Sequence, residues 1–285
     1  MIQSGGTGFI IKLRSLYPSL AKVHKRIARK ILDNPRSIIA MPVTELARQA
    51  DASEASVVLF CKKLGFRGYH DFKILLAEEL FNSGSDIHEE IEKNDPAQII
   101  LKKIFNTSIQ ALSDSLKILD PKSLEKAAGI LLESRNILIF GTGLSGIIAK
   151  ALWMKLFRIN LNVHFYDNQT SLRMAAAITE PSDAVIAVSH SGSTTAIIEA
   201  CRNAKENGAA TIGLTNYLNS PMTKYTDILL LTSSRETGIQ EEEMTSRIAQ
   251  LAVIDALFVA VSNQSYERSA HALRRTRAAV SDDKI

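Results

Sequence analysis

Two loops rich in glycine and hydroxyl side chains have the residue types and spacing to bind an anion. Residues 141–146 read Gly-Thr-Gly-Leu-Ser-Gly, and residues 189–195 read Ser-His-Ser-Gly-Ser-Thr-Thr. Each loop follows an apolar, β-rich run and precedes a helical pattern. Because backbone N–H groups at a helix start attract anions and hydroxyls add neutral donors, the second loop predicts a phosphate monoester site. The alternative is ordinary helix capping by Ser191 or Ser193, although capping needs only one hydroxyl.

The first loop also matches the GxGxxG pattern of dinucleotide-binding proteins. Asp167 follows the second predicted strand, about where such proteins place the acid that binds the ribose. A nicotinamide-dependent dehydrogenase is therefore a rival hypothesis. Two features count against it: the motif begins deep in the chain, and the hydroxyl-rich loop at 189–195 has no role in the dinucleotide pattern.

No residue pattern indicates a metal site, a disulfide framework or a membrane segment. None of the six histidines has the HExxH spacing of a zinc site. The two cysteines, Cys61 and Cys201, lack a CxxC partner and are expected to be buried free thiols. No apolar run is long enough to span a bilayer, and the N-terminus lacks the pattern of a signal peptide. We therefore expect a cytoplasmic protein without a metal or cofactor.

Residues 43–64 have the layout of a helix-turn-helix. Two short helical patterns, at 43–50 and 54–64, are separated by a tight break that ends in Ser53, whose hydroxyl can accept a backbone N–H at a helix start. In such motifs the second helix enters the major groove of DNA. The first 80 residues carry 13 basic and 7 acidic side chains, whereas the remainder carries 21 and 23. A basic first third on a slightly acidic body is what a phosphate-binding module joined to a neutral domain would show.

The second of these helices is predicted to have one face for the core and one for DNA. At about 100° per residue, the face predicted to be buried comprises Val57, Phe60, Cys61 and Leu64. On the other face, Ala55 and Leu59 could touch thymine methyls, and Glu54 could accept from a cytosine amino group. The alternative is that Ala55 and Leu59 pack on a neighbouring helix. The predicted phosphate contacts are Ser56, Lys62, Lys63, Arg67 and Lys73.

The remaining patterns predict an all-α head and an α/β body. Asn34-Pro35 is expected to end a helix at about 20–31, and further helices are expected at 69–81, 96–119 and 246–261, followed by a polar, basic tail. From Pro121 strands and helices alternate, with apolar strands at 137–140, 163–166, 184–188, 210–214 and 228–231. This alternation favours a doubly wound, five-stranded parallel sheet. We therefore predict two domains, an all-α helix-turn-helix head at 1–81 and an α/β domain at 96–285, joined by a linker at 82–95.

The head resembles the N-terminal domain of the RpiR/MurR-type bacterial transcription regulators. Many members of that family carry arginine immediately before the phenylalanine of the second helix, where this chain has Leu59. Losing that guanidinium removes a guanine or phosphate contact and affects operator affinity and specificity, but not the fold. The resemblance implies a head that binds double-stranded operator DNA, with Ser53 at the start of the reading helix. It rests on Leu46, Ala47, Ser53, Ser56, Val57, Phe60, Lys63, Leu64, Gly65, Phe66, Gly68, Tyr69, Asp71, Phe72 and Lys73.

The body resembles the sugar isomerase (SIS) domain that follows the helix-turn-helix in these regulators. Residues 189–195 are similar to its phosphosugar loop, and the similarity extends to 245–251 and 255–258. The resemblance implies effector contacts from Gly143, Ser145, Ser189, Ser191 and Thr194, with His190 and Ser193 beside them. Glu243 either contacts sugar hydroxyls or belongs to a solvated run of glutamates. Arg247 is either structural or placed at a dimer seam.

Together these patterns predict a DNA-binding regulator of carbohydrate metabolism, controlled by a phosphorylated sugar or amino sugar. A homodimer or homotetramer would place two reading helices on successive major grooves of a palindromic site, and the helices at 96–119 and 246–261 are the candidate subunit surfaces. The rival from another class is a sugar-phosphate isomerase, in which Glu243 or His190 would act as general base. No paired acid and base stands out, so we expect a protein that is not an enzyme.

Overall fold

In the computed structural model the chain divides into two compact units, Met1–Glu89 and Glu90–Ile285. The structure describes residues 9–82, 91, 94–234 and 244–280; the side chains of 81–82 and 244–246 are not described. The division falls inside the segment 82–95, most of which lies outside the described residues, so the linker stays a prediction.

The described part of the first unit is all-helical, as predicted. Tertiary contacts explain a helix that the sequence analysis did not predict: the carboxylate of Glu79 accepts the backbone N–H groups of Phe9 (2.7 Å) and Ile10 (3.1 Å) at the start of α1. The helices are α1 (Phe9–Leu16), α2 (Lys22–Asp33), α3 (Pro35–Ala40), α4 (Val43–Gln49), α5 (Glu54–Lys63) and α6 (Tyr69–Asn82).

A second helix that was not predicted, α3, begins at the residue pair expected only to end α2. Asn34 does terminate α2, but its side chain also accepts the backbone N–H of Ser37 (3.2 Å), and Pro35 occupies the first turn of α3. A proline costs nothing there because that N–H has no helical partner. One Asn-Pro pair therefore both stops and starts a helix.

The second unit is an α/β domain with a five-stranded, all-parallel sheet in the order β2-β1-β3-β4-β5, which confirms the predicted fold class. Its strands are β1 (Ile137–Phe140), β2 (Val163–Tyr166), β3 (Ala184–Val188), β4 (Ala210–Thr215) and β5 (Ile228–Leu231). Its helices are α7 (Ala97–Ile118), α8 (Pro121–Glu133), α9 (Gly143–Arg158), α10 (Gln169–Ala177), α11 (Thr195–Glu206), α12 (Met244–Gln264) and α13 (Tyr266–Ala278).

Two of these helices correct the sequence analysis. Alternating strands were expected directly from Pro121, but α8 comes first, because the Asp120 carboxylate caps it by accepting the N–H groups of Lys122 and Ser123. The polar segment after 264 was read only as a basic tail. It forms α13, which buries Ser269 and Ala272, while its exposed face keeps the charges that dominated the pattern.

The strands of the sheet alternate their side chains between two apolar layers. Ile137 and Ile139 pack with residues of α8, α9 and α12, whereas Leu138 and Phe140 pack with residues of α10 and α11. The strand order reverses between β1 and β3, so the loops leaving these two strands border a crevice at the carboxyl edge of the sheet.

Among the described residues, no single helix combines the length and apolar composition needed to cross a bilayer. The one pair that meets both requirements jointly, Arg247–Gln264 with Tyr266–Ala278, is bent by 114° at its break.

Candidate functional site

The structure brings the two predicted anion-binding loops together at the point where the strand order reverses. β1 and β3 are neighbours, with Phe140 paired to Ala187, and the loops follow directly from their ends. The backbone N–H of His190 donates to the hydroxyl of Ser145 across 3.3 Å. Open parallel sheets bind ligands in this crevice.

Both helices that start at the crevice lack a side-chain cap. The N-cap residues are Thr142 for α9 and Thr194 for α11, and neither side chain makes a capping hydrogen bond. Asp120 and Asn168 cap α8 and α10, whereas α2, α4, α7 and α13 also begin without a side-chain cap. The capping role weighed for Ser191 or Ser193 is therefore wrong. The first-turn N–H groups of α9 and α11 are left to attract an anion.

Loop 189–195 is a tight turn with a buried base and a more accessible tip. The hydroxyl of Ser189 accepts the backbone N–H of Gly192 (3.1 Å) and lies 3.5 Å from the hydroxyl of Thr194. Ser189 and His190 are buried, Ser191 and Thr194 are half-buried, and Ser193 is exposed. Ser191 and Ser193 also brace the turn, because the Ser191 hydroxyl accepts the backbone N–H of Ser193 (3.2 Å) and the Ser193 hydroxyl donates to the carbonyl of Ser191 (3.2 Å).

Glycines shape both loops in different ways. Gly192 has φ +59°, and a Cβ there would collide with the side chain of Ser220. Gly143 has φ +57°, and a Cβ there would meet nothing within 4 Å, so the backbone at the start of α9 is accessible. A Cβ on Gly141 would lie 2.7 Å from the Cβ of Ala149, so this glycine allows close packing of strand and helix.

The sequence analysis missed two residues of β4 and its carboxyl end that hydrogen-bond to the backbone of loop 189–195. The carbonyl of His190 accepts the hydroxyl of Thr215 (2.9 Å) and the backbone N–H of Asn216 (3.0 Å). Both supporting residues stand at the carboxyl end of β4 and are buried. Polar residues directly after an apolar strand were the signal used for the other two loops, and the same signal at Thr215-Asn216 could have found them.

The sequence analysis also named Glu243 and Arg247, and the structure describes only the second of them. Glu243 is outside the described residues, so its contact with a sugar stays a prediction. Arg247 is half-buried in the first turns of α12. In the part of the chain that the structure describes, no three histidine, cysteine or acidic side chains are close enough to hold a metal ion.

In the first unit, the structure sorts α5 into the two predicted faces. Val57, Phe60, Cys61 and Leu64 are buried. Leu59 is 51% exposed, and Glu54, Ala55, Lys62 and Lys63 are exposed as well. Ala55 and Leu59 therefore do not pack on a neighbouring helix, and the alternative weighed for them is wrong. Burial also raises the pKa of the Cys61 thiol to about 12, which makes it an unreactive core residue.

The turn before α5 is held by contacts within the motif and from α2. The Ser53 hydroxyl accepts the backbone N–H of Ser56 at 3.2 Å, as its predicted capping role requires. Arg26 donates to the carbonyl of Ala50 at 2.8 Å and pairs with the Asp51 carboxylate at 3.3 Å. Asp51 adopts a positive φ of 48° in this turn. Arg26 was not predicted, because its partners lie about two helices away in sequence.

Among the predicted phosphate contacts, Lys73 differs from the rest. Its ammonium donates to the carbonyl of Met41 (3.3 Å) and lies 5.5 Å from the ring centre of Tyr69. Lys62, Lys63 and Arg67 are exposed, and Ser56 is half-buried. Lys73 therefore stabilises the contact between α6 and the end of α3, and its phosphate contact stays a prediction that requires it to leave this position.

Comparison with known proteins matches both units to described families. A family model described as "Helix-turn-helix domain, rpiR family" matches residues 7–83, and one described as "SIS domain" matches residues 130–260. The glycine pattern at 141–146 thus belongs to a SIS domain, not to a dinucleotide-binding domain.

Relatives are similar along nearly the whole chain. An uncharacterized HTH-type transcriptional regulator of Caldanaerobacter subterraneus is 35% identical over 280 residues, covering 98% of this chain and 99% of that protein. The HTH-type transcriptional regulator HexR of Pseudomonas aeruginosa is 32% identical over 88% of each chain. The solved structure of the Vibrio vulnificus NanR protein complexed with ManNAc-6P aligns with a TM-score of 0.61 and 26% identity, covering 95% of this chain and 97% of that one. The chain therefore belongs to the rpiR family of helix-turn-helix transcription regulators that carry a SIS domain.

Proposed function

We propose that this protein regulates genes of carbohydrate metabolism, binding operator DNA through α5 and responding to a sugar phosphate held in the crevice between β1 and β3. The observation that carries the proposal is the pair of helices, α9 and α11, whose uncapped N-termini both start at a crevice rich in hydroxyls. Such a site supplies dipoles and neutral donors for a phosphate monoester. The protein acts on DNA and is therefore placed in the cytoplasm.

The effector contacts proposed are Gly143, Ser145, Ser189, Ser191 and Thr194, with His190 and Ser193 beside them. An amino sugar phosphate is one suitable class, because NanR, which aligns with this chain over 95% of its length, was solved with ManNAc-6P. Glu243 would add contacts to the sugar hydroxyls. We expect binding without turnover, because relatives that are 35% and 32% identical are named transcriptional regulators.

Subunit association supports the proposed regulation, because a palindromic operator requires two reading helices. α7 carries an exposed apolar stripe at helical spacing along one face, formed by Leu101, Phe105, Ile109, Leu112 and Leu116. The stripe spans about 15 residues and hence roughly 22 Å. Large exposed apolar faces of this kind mark interaction sites. We propose a second copy of this chain as its partner.

A ligand screen tests the effector site. Thermal unfolding is measured with inorganic phosphate, glucose 6-phosphate, fructose 6-phosphate, N-acetylmannosamine 6-phosphate and unphosphorylated N-acetylmannosamine. A phosphosugar at about 100 times its Kd stabilises the folded protein by about 2.7 kcal/mol, and the neutral sugar should give a much smaller shift. Product formation from the same phosphosugars would favour the isomerase instead.

Matched variants locate the binding. Thr194→Val removes a hydroxyl at the crevice and should weaken phosphosugar binding about 10- to 150-fold, since a hydrogen bond to a charged group contributes about 1.5–3 kcal/mol. Ser134→Ala removes a hydroxyl that bonds only to the carbonyl of Ile130 at the end of α8, and serves as control. Equal affinities of the two variants would refute the assignment of the crevice.

A further inference from the structure

A continuous set of buried hydrogen bonds joins loop 189–195 to α7. We call it the polar bridge and define it as Ser115, Thr215, Asn216, Ser233 and Ser234. At the loop end, the carbonyl of His190 accepts the hydroxyl of Thr215 (2.9 Å) and the backbone N–H of Asn216 (3.0 Å). The polar bridge therefore begins at the backbone of the proposed phosphate loop.

Asn216 continues the polar bridge to the segment after β5 by a two-sided contact. Its Oδ1 accepts the backbone N–H of Ser234 (2.8 Å), and its Nδ2 donates to the carbonyl of the same residue (3.3 Å). The backbone N–H of Thr232 also donates to the carbonyl of Thr215 (3.0 Å). A displacement at the end of β4 is thus passed to residues 232–234.

Ser115 completes the polar bridge on α7. Its hydroxyl accepts the backbone N–H of Ser233 (2.9 Å) and donates to the carbonyl of the same residue (3.3 Å), although the two residues are 118 positions apart. One hydroxyl therefore binds both the backbone N–H and the backbone carbonyl of Ser233. The hydroxyls of Thr107 and Ser108, by contrast, each donate to the carbonyl four residues earlier on α7.

Burial makes the polar bridge rigid. Each of its five residues is at most 6% exposed. Water cannot replace a lost partner at such depth, so breaking one bond leaves a buried polar group unsatisfied. The bonds are therefore expected to move together rather than to stretch independently.

α7 connects the polar bridge to the proposed subunit contact. α7 follows the predicted linker directly in sequence and carries the exposed apolar stripe proposed as the subunit contact. A small shift of α7 would alter how two copies associate, and so the spacing of their two reading helices. Among the helices that the structure describes in the second unit, α7 is the nearest in sequence to the DNA-binding head.

We propose that Asn216 and Ser115 are positioning residues that couple occupancy of loop 189–195 to the placement of α7, and so to DNA affinity. This inference rests on the proposed function. Allosteric coupling is the ratio of DNA affinities with and without effector, and it is reciprocal. Breaking the polar bridge should reduce that ratio while leaving each separate affinity nearly unchanged.

The test measures that ratio in the full-length protein, with N-acetylmannosamine 6-phosphate as probe and a DNA duplex that the wild type protects in footprinting. Coupling in regulators typically amounts to roughly 5- to 150-fold in affinity. In Ser115→Ala the ratio should fall to about 1–2, while the affinity for DNA alone and for the sugar phosphate alone stays within about 3-fold of wild type. Ser115→Thr keeps the hydroxyl and should restore most of the ratio.

Ser108→Ala is the matched control on the same helix, and its ratio should equal that of the wild type. An unchanged ratio in Ser115→Ala, or an equal loss in Ser108→Ala, would overturn the inference but leave the proposed function intact. A wild-type protein that binds both partners without any coupling would overturn both. If the probe does not bind, hydrogen exchange without ligand decides: backbone amides of 189–194 should exchange faster in Ser115→Ala than in Ser108→Ala, and equal rates would overturn the inference.

Discussion

The backbone N–H of His190 donates to the hydroxyl of Ser145 across 3.3 Å, although 45 residues separate them in the chain. This bond joins the loops that leave β1 and β3, whose spacing is set by the pairing of the two strands. The two uncapped helix N-termini, at α9 and α11, start from those loops. Strand pairing and this hydrogen bond thus hold two anion-attracting groups at the same crevice.

Gly192→Ala should destabilise the second unit and abolish effector binding. A residue with a Cβ at φ +59° costs about 1–3 kcal/mol, and the Cβ would also collide with Ser220. Thermal unfolding with and without N-acetylmannosamine 6-phosphate measures both effects. Gly129→Ala in α8 is the control, because its Cβ would meet only the side-chain oxygen of Gln264 at 3.8 Å, and it should be neutral or stabilising. A Gly192→Ala protein with wild-type melting and binding contradicts the described turn.

Lys62→Ala should weaken operator binding, because its exposed ammonium lies on the predicted reading face of α5. Loss of one phosphate contact reduces the slope of log affinity against log salt by about 0.9. Fluorescence anisotropy at several salt concentrations gives that slope. Lys122→Ala, an exposed lysine on α8, should leave it unchanged. The reading face is wrongly assigned if both variants behave alike.

Leu59→Arg should raise DNA affinity and steepen the salt dependence. Leu59 is 51% exposed in α5, so a longer charged side chain fits without disturbing the core. An added guanidinium can contact a phosphate or a guanine edge. To separate a phosphate contact from a guanine contact, affinity is measured for the duplex that the wild type protects in footprinting and for a duplex of unrelated sequence. A gain on both duplexes indicates a phosphate contact, a gain on one indicates base reading, and no gain on either contradicts the placement of Leu59 at the DNA.

Acid should selectively destabilise the first unit through His24. Burial, with the nearby charge of Lys63, lowers the pKa of this imidazole from 6.5, and its ring lies 5.4 Å from that of Phe60. Below about pH 6.5 the unfolded chain binds the proton more readily than the folded chain, so the free energy of unfolding falls as pH falls towards the lowered folded-state pKa.

Urea unfolding at several pH values checks this expectation. Circular dichroism follows both units, and fluorescence of Trp153, the single tryptophan, follows the second unit alone. His24→Gln should remove the acid-dependent loss from the first transition. His70→Gln, at an exposed position of α6, should retain it. Identical pH dependence in His24→Gln and the wild type would rule out His24 as the cause.

Phe105→Glu should dissociate the subunits. Phe105 belongs to the apolar stripe of α7 and is 66% exposed. Burying such a side chain contributes about 1.5–3 kcal/mol, and burying an unpaired carboxylate adds a further cost, so the dimer dissociation constant should rise at least about 10-fold. Sedimentation equilibrium measures it. Asn106→Glu adds the same charge at an exposed position of α7 away from the stripe, and should dissociate far less; equal effects would place the interface elsewhere.

The sequence alone determined the fold class and the main functional elements. Local interactions, within a few residues of the chain, determine the strand positions, the faces of α5 and the capping role of Ser53. Hydrophobic periodicity indicates the first two directly, and residue type at a helix start indicates the third. The hydroxyl-rich loop 189–195 was evident for the same reason, since it lies between one strand and one helix. Its contacts with an effector, like those of α5 with DNA, remain predictions.

Tertiary structure alone decided what joins distant parts of the chain. The Glu79 carboxylate caps α1 from 69 and 70 residues away, and Ser115 binds the peptide of Ser233 from 118 residues away. Each partner is an ordinary polar residue within its own segment. Its role depends on which helices pack against which strand ends, and the free energy that selects this packing is spread over the whole core rather than encoded in any local pattern.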